Sequence, residues 1–139
     1  MVGYGGPRES GWLEAQGIIA VRDAPAELMP AVFGFCDIYV TASRWEGFDL
    51  PLAEAQSFGK PVVALDAGAH PEVVADGKSG FLVNGMEELT RAVEALATDP
   101  EMRAFMGRAA LEQAERFKWE NAVTAYERVL GEVTGGAGR

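Results

Sequence analysis

The amino-acid sequence predicts an α/β protein with a Rossmann-like, doubly wound parallel sheet and a helical C-terminus. Apolar runs of strand length alternate with helical segments about four times, and from Met86 onward the spacing is helical throughout. The runs are short and largely apolar, as expected for parallel strands that helices cover on both faces. In such sheets, ligands bind beyond the carboxyl ends of the strands, at the loops that lead into helices.

The first elements are two β-rich segments and a helix. Met1 and Val2 run at once into a glycine-rich stretch, and we expect them to be the tail of a strand whose beginning is missing. The spacing then predicts a short helix over 9–16, a strand in "GIIAVRD" and a helix over 26–35.

The clearest central strand is "CDIYVTAS", in which apolar residues are followed by small and polar ones. The next helix is predicted to begin with Asp49 as its cap and Pro51 in its first turn, and to end at Gly59. After it, "KPVVALD" predicts a strand, "HPEVV" a single helical turn and "GFLV" a short strand. Helices are then predicted over 87–98, 101–116 and 119–132.

Composition narrows the class of protein. A chain of 139 residues suits one compact domain, and 48% apolar with 24% charged residues is typical of a soluble globular protein. The formal net charge of −9 argues against nucleic acid or an anionic membrane as the main partner. Cys36 lies in an apolar run and is expected to be a buried small residue. Since neither a membrane span nor a signal peptide is recognisable, we expect a cytoplasmic protein.

The loop between the central strand and the following helix has the features of an anion site. At the start of that helix, the N–H groups of Phe48, Asp49 and Leu50 have no intrahelical acceptor and face the positive end of the helix dipole. Gly47 allows the backbone to approach a ligand without an intervening Cβ. A diphosphate fits this description without a lysine.

Two acids flank this turn, Glu46 and Glu54, with seven residues between them. Their carboxylates can accept hydrogen bonds from sugar hydroxyls, and vicinal ribose hydroxyls are commonly held in this way. They can equally be surface charges that the helix dipole favours. Asp49 is expected to be a cap rather than a ligand. The residues alone leave the choice for the two glutamates open.

The segment "VTASRWEGFDLPLAEAQSFGKPVVALDAGAHPEVVADGKSGFLV" resembles the donor site of the family-four retaining GT-B glycosyltransferases. That family has a serine, then Glu-Gly-Phe-Gly, then a second glutamate eight positions after the first. The motifs "GKPVVA", "PEVV" and "DGKSGFLV" follow in the same order here, and "RFKWENAVTAYERVL" resembles the closing helix. The resemblance implies a partial donor-binding domain over 1–139 that lacks the first βα units.

The resemblance also implies roles for particular residues. Glu46 matches the acid that contacts the transferred sugar, and Glu54 the acid that holds the ribose hydroxyls. Gly47, Phe48, Asp49 and Leu50 match the backbone that binds the donor sugar and diphosphate. The base pocket is implied near two further residues, Val21 and Arg22. No metal and no cofactor beyond the nucleotide-sugar donor (UDP-, GDP- or ADP-linked) are expected.

The chain departs from the family pattern in three places. The family often has glycine where Asp49 stands, so the aspartate is expected to crowd or reshape the sugar pocket. Its strand near Val21 usually ends in glycine where Arg22 stands. Its basic Arg and Lys pair, which contacts the diphosphate, has no match here.

The resemblance therefore predicts a hexosyltransferase whose acceptor-binding N-terminal domain, or a partner chain, must complete it. The chain alone is expected to be inactive, and the full enzyme can associate peripherally with a membrane. The alternative is a non-catalytic nucleotide-sugar-binding fragment, or one subunit of a split transferase.

Other residues are expected to be structural. His70, the only histidine, has no Ser–His–Asp arrangement around it and is predicted to be structural or to line a pocket. Phe117, Trp119 and Tyr126 have near-helical spacing and are predicted to be core contacts.

Overall fold

The computed structural model describes residues 2–3, 15–21 and 24–135, which fall into two compact units, 1–34 and 35–139. In the first unit, two short strands pair in parallel, β1 (Val2–Gly3) and β2 (Ile19–Ala20). A 3₁₀ turn over Ala26–Leu28 leads into helix α1, Met29–Phe35. The predicted strand "GIIAVRD" and the predicted helix over 26–35 are confirmed, although the helix begins as a 3₁₀ turn.

The second unit contains a three-stranded parallel sheet in the order β3-β4-β5. Its strands are β3 (Tyr39–Thr41), β4 (Val62–Leu65) and β5 (Gly80–Val83). Every residue of the central strand β4 is buried, which explains its unbroken apolar sequence. The core on one side of the sheet joins the strands to two helices through Val63, Leu65, Val83, Leu89, Leu96 and Met106.

Helices follow each strand of this sheet. They are α2 (Leu50–Ser57), α3 (His70–Val73), α4 (Met86–Thr98), α5 (Pro100–Ala114) and α6 (Trp119–Gly135), with a 3₁₀ turn over Glu115–Phe117 before α6. Each predicted helix of this part of the chain is present. The parallel α/β architecture and the helical C-terminus are therefore confirmed, whereas the assignment of 1–139 to one partial domain stays a prediction.

Helix α5 packs tightly on the end of α2. A Cβ on Gly107 would lie 2.5 Å from the carbonyl oxygen of Gly59, so only glycine permits this approach. The cap of α5 is Asp99, whose carboxylate accepts a hydrogen bond from the Met102 amide at 2.8 Å. Because α5 packs here, the 3₁₀ turn that follows it lies close to the loop before α2.

The predicted core contacts in α6 are wrong. Trp119 is 82% exposed and Tyr126 72% exposed, and α6 has no buried residue. Their spacing does place apolar side chains on one helical face, but no other described residue covers it. Phe117 is half-buried and contacts the loop before α2, as described below.

Some predictions concern residues beyond the described ranges. Most of the predicted helix over 9–16, and Arg22 of the implied base pocket, lie outside them. Among the described helices, none combines the length and the apolar character needed to cross a lipid bilayer.

Candidate functional site

The loop between β3 and α2 lies at the carboxyl edge of the three-stranded sheet. Because β3, β4 and β5 are parallel, the loops that follow all three strands lie at the same edge. The loop after β4, residues 66–69, packs directly against the loop before α2. The site is therefore built from two neighbouring strand–helix connections, as the sequence predicts for one of them.

Backbone donors are available in the first of these connections. Within residues 24–135, the N–H groups of Gly47, Phe48, Asp49 and Leu50 donate to no acceptor. They precede and begin α2, whose dipole adds partial positive charge at this end. The structure thus shows the unpaired donors that were predicted, and anion binding by them stays a prediction.

Asp49 caps α2 from a left-handed backbone conformation. It has φ 60° and ψ 69°, and among the described residues it is the only one other than glycine with a positive φ. Its Oδ1 accepts a hydrogen bond from the Leu52 amide at 3.2 Å, which confirms the predicted cap. Of the residues with a side chain, Asn and Asp tolerate this conformation best. Glycine, which the resemblance leads us to expect at this position, adopts the same conformation readily.

The side chain of Asp49 points inward and is 5% exposed. The expectation that Asp49 crowds or reshapes the sugar pocket stays a prediction. Its Oδ2 lies 3.0 Å from Nε2 of His70, and both carboxylate oxygens have a protein partner. The carboxylate points into the protein because both of its hydrogen-bond partners, the Leu52 amide and the His70 ring, are buried there.

His70 is fully buried at the start of α3, which confirms its predicted structural role. Its Nδ1 lies 2.7 Å from the carbonyl oxygen of Leu65, the last residue of β4. The imidazole therefore joins the end of a strand to the cap of α2. The sequence contained no signal for this contact, because Asp49 and His70 are 21 residues apart.

The two loops are also joined through their backbones. The Ala69 amide donates to the Glu46 carbonyl oxygen at 3.2 Å, and Gly68, at φ 56°, lies against the Glu46 backbone. The loop is thus held at Glu46 by one contact and at Asp49 by another. Gly47 and Phe48 lie between these two attachment points.

The aromatic ring of Phe48 is fixed from the C-terminal side. It packs edge-on against Phe117, with ring centroids 5.3 Å apart and planes at 80°. Arg116 lies over the other ring of the pair, 5.6 Å from the Phe117 centroid. These contacts hold the Phe48 side chain against another side chain, whereas its backbone N–H remains available to a ligand.

Glu46 in the loop and Glu54 in α2 both lie near Tyr39. Burial raises the pKa of Tyr39, and the negative charges of Asp49, Glu46 and Glu54 raise it further. Glu46 is half-buried and Glu54 exposed, and neither carboxylate contacts a donor or cation among residues 24–135. The structure therefore brings the two acids to one region with their oxygens available to a ligand.

The implied base pocket is only partly described. Val21 follows β2 in the first unit and is half-buried, and Arg22 lies outside the described residues. The base pocket at Val21 and Arg22 stays a prediction. Among the described residues there is no group of three or more His, Cys, Asp or Glu side chains that could hold a metal ion.

Sequence reasoning missed a crevice of about 290 Å³ at the same edge of the sheet. It is lined by Arg44, Leu65, Asp66, Ala67, Val83, Asn84, Gly85 and Met86. Arg44 comes two residues before Glu46 and belongs to the same loop. The sequence did contain a signal for this crevice. Its lining residues lie at or just after the ends of predicted strands, and parallel strands bring their carboxyl ends together.

Curated relatives of the chain are named D-inositol 3-phosphate glycosyltransferase. The protein from Streptomyces avermitilis is 38% identical over 136 residues, which cover 87% of this chain and 29% of the relative. That from Kribbella flavida is 46% identical over 102 residues, covering 72% of this chain and 24% of the relative. The chain thus spans less than a third of the length of these two proteins.

Solved structures share the fold. Sucrose-phosphate synthase from Thermosynechococcus elongatus has a TM-score of 0.82 at 21% identity, over 97% of this chain and 38% of that one. HepE from Anabaena, solved in complex with UDP, has a TM-score of 0.74 at 26% identity, over 92% of this chain and 35% of that one.

The loop with its two glutamates lies inside the part of the chain that matches a known family. Residues 16–113 match the family described as glycosyl transferases group 1. This match covers more than half of the chain and agrees with the relatives and the fold. The chain therefore belongs to the glycosyl transferases group 1 family.

Proposed function

We propose that this chain supplies the donor-binding site of a retaining GT-B glycosyltransferase. It binds a nucleotide sugar, and the enzyme transfers the hexosyl group to an acceptor with retention of anomeric configuration. The observation that carries the proposal is the loop before α2, where four N–H groups without an acceptor in the described chain lie between Glu46 and Glu54. HepE from Anabaena, solved with UDP, supports a nucleotide-linked donor.

The backbone donors bind the diphosphate. During transfer, the bond between the anomeric carbon and the diphosphate oxygen breaks, and that oxygen keeps the bonding electrons. The N–H groups of Gly47, Phe48, Asp49 and Leu50, with the α2 dipole, stabilise the charge that develops there. The acceptor oxygen forms the new bond on the same face of the sugar, and its proton leaves to the nucleoside diphosphate or to water.

The two glutamates hold the sugars at either side of the diphosphate. Glu46 accepts hydrogen bonds from hydroxyls of the transferred hexose, and Glu54 accepts them from the ribose hydroxyls. Charge-assisted hydrogen bonds of this kind are stronger than neutral ones. The base pocket includes Val21 and Arg22, and the site needs neither a metal ion nor a further cofactor.

The acceptor is bound by residues outside this chain. The chain spans 29% and 24% of the two relatives reported above, so a further domain or a partner chain completes the transferase. Nucleic acid is not a partner, because the net charge is −9. We place the enzyme in the cytoplasm, where nucleotide sugars are available, with the full protein able to associate with a membrane surface.

Titration calorimetry of the chain with UDP, GDP and ADP tests the donor site. One of the three is expected to bind, and Glu54→Ala is expected to weaken it about 10- to 100-fold, which corresponds to one or two charge-assisted hydrogen bonds. Glu94→Ala is the matched control, because Glu94 is an exposed acid in the second half of α4. The Glu94→Ala variant is expected to bind the nucleotide with the same affinity as the unmodified chain.

Two results would contradict the proposal. One is that none of the three nucleotides binds. The other is that Glu54→Ala and Glu94→Ala bind the nucleotide with the same affinity. A non-catalytic nucleotide-sugar-binding chain is the alternative, and it predicts binding without transfer after the acceptor-binding part has been restored.

A further inference from the structure

The contact between His70 and Asp49 carries an inference that the proposed chemistry does not use. Both side chains are buried, and neither touches the crevice. Nδ1 of His70 lies 2.7 Å from the Leu65 carbonyl oxygen, and Nε2 lies 3.0 Å from Oδ2 of Asp49. The two ring nitrogens therefore both face oxygen atoms.

The chemistry of these oxygens assigns the protons. A backbone carbonyl oxygen can only accept, so Nδ1 of His70 carries a hydrogen and donates to Leu65. A second proton must then lie between Nε2 and the Asp49 carboxylate, because a lone pair on each would repel. The pair is thus an imidazolium beside a carboxylate, or an imidazole beside a carboxylic acid. In both forms it is neutral as a whole, which suits its burial.

The pair acts on a loop that is already attached at its other end. The Ala69 amide holds the Glu46 carbonyl, and His70, the next residue, holds the Asp49 side chain. Gly47 and Phe48 lie between these contacts with N–H groups that have no acceptor among residues 24–135. The N–H groups of Asp49 and Leu50 flank the left-handed conformation of Asp49, whose carboxylate contacts His70.

We propose that His70 is a positioning residue of the donor site, which shares a buried proton with Asp49 and so holds the loop from Glu46 to Asp49 in its binding conformation. The inference rests on the proposed function for its ligand, but not for its geometry. It predicts that nucleotide affinity falls when the contact between His70 and the side chain of residue 49 is lost. The role is distinct from catalysis, since His70 acts only through Asp49.

The protein offers a direct spectroscopic test, because His70 is its only histidine. We expect nitrogen-15 NMR of the histidine-labelled chain near neutral pH to show one of two states. Either both ring nitrogens are protonated, or Nδ1 is protonated and a second proton is shared between Nε2 and Asp49. In both states the ring protons are expected to be protected from exchange with solvent. In Asp49→Asn, the amide can still cap α2 and can donate to Nε2. That variant is expected to show a single ring N–H, on Nδ1, and to keep the loop from Glu46 to Asp49 in the same conformation.

Nucleotide affinity then separates positioning from simple stabilisation. For whichever of UDP, GDP and ADP binds, His70→Leu is expected to weaken binding about tenfold or more, because it leaves Oδ2 of the Asp49 carboxylate buried without its partner. Asp49→Asn keeps a hydrogen bond between residue 49 and His70, so it is expected to lose less affinity than His70→Leu. The double variant Asp49→Gly with His70→Leu removes both partners and keeps the left-handed turn. Its loss is therefore expected to be smaller than the sum of the losses in Asp49→Gly alone and His70→Leu alone.

These outcomes decide the inference even if a variant folds poorly. A wild-type ring spectrum with one N–H and an unshared Nε2 lone pair overturns it without any variant. Unchanged affinity in a folded His70→Leu chain, or additive losses in the double variant, also overturn it.

If the wild-type chain binds none of the three nucleotides, the proposed function fails. The ring spectrum, with the amide signals of residues 47–50 in His70→Leu compared with Asp49→Asn, then still decides whether His70 holds the loop. Displaced signals in His70→Leu alone support the inference, and unchanged signals in both variants overturn it.

Discussion

Gly68 and Glu46 touch through their backbones. A Cβ on Gly68 would lie 2.8 Å from the Glu46 carbonyl oxygen and 3.0 Å from its amide nitrogen. The same carbonyl accepts the hydrogen bond from Ala69. The loop after β4 therefore supports the position of Glu46, the acid that we assign to the transferred sugar.

Replacement of Gly68 with alanine is expected to destabilise the chain and to displace Glu46. The left-handed φ of 56° costs roughly 1–2 kcal/mol for a residue with a Cβ, and the clash adds about 1–3 kcal/mol. Gly77→Ala is the control, because Gly77 has φ 69° with nothing within 4 Å of its added Cβ. Urea unfolding of both variants measures the difference, and equal losses would show that the contact with Glu46 is unimportant.

Two helical glycines are expected to respond in opposite directions to alanine. At Gly107 the new Cβ would lie 2.5 Å from the Gly59 carbonyl oxygen, so Gly107→Ala is expected to cost about 2–3 kcal/mol as α5 moves off α2. At Gly131 in α6 nothing lies within 4 Å, and Gly131→Ala is expected to stabilise the helix by about 0.5–1 kcal/mol. Thermal unfolding followed by circular dichroism compares the two, and a change of the same sign in both would contradict this reasoning.

The ring pair of Phe48 and Phe117 is expected to contribute to stability. Phe117→Leu removes the edge-to-face contact and the Arg116 interaction, and is expected to cost about 1–2 kcal/mol. Trp119→Leu is expected to change the free energy of unfolding by less than about 0.5 kcal/mol, because Trp119 is largely exposed. Chemical denaturation distinguishes the two variants. An equal loss in both would mean that the ring contact contributes nothing specific.

Helix α4 is expected to loosen at acid pH through Glu88. The backbone N–H of Asn84, and then its side-chain amide, lower the pKa of the Glu88 carboxyl by hydrogen bonding. A lowered folded-state pKa means that the contribution to stability is present above the unfolded value and is lost as pH falls through the folded value.

Unfolding of Glu88→Gln and of the unmodified chain as a function of pH measures this contribution. The two are expected to differ near neutral pH and to converge in acid. Glu94→Gln, at an exposed acid of the same helix without the Asn84 contacts, is the control variant. A constant difference for Glu88→Gln over the whole range would exclude the carboxylate as the cause.

Cys36 is expected to react slowly with alkylating reagents at neutral pH. Burial raises the pKa of its thiol, an effect that the charge of Lys60 opposes and that of Asp37 reinforces. Because the thiolate is the reactive form, the rate with iodoacetamide is expected to rise with pH and to increase when the chain is unfolded in urea. Equal rates for the folded and unfolded chains at pH 7 would contradict the raised pKa of the Cys36 thiol in the folded chain.

The linear pattern of residues was sufficient for the order of elements and for the position of the loop between β3 and α2. The apolar run of β4, the cap at Asp49 and the strand "GFLV" are local features, and each was found where it was predicted. Such features act over a few residues, because caps, turns and periodicity involve near neighbours in the chain. The loop that contains Glu46, and the helix that contains Glu54, were located in the same way.

Packing between distant segments decided the rest. The contacts of Asp49 with His70, and of Phe48 with Phe117, join residues far apart in sequence. Periodicity placed Trp119 and Tyr126 on an apolar face of α6, but it does not say whether another element covers that face. The inward rotamer of Asp49 likewise depends on the loop after β4. These relationships arise only when the parallel sheet brings strand ends together, since the free energy of burial depends on neighbours in space and not on those in sequence.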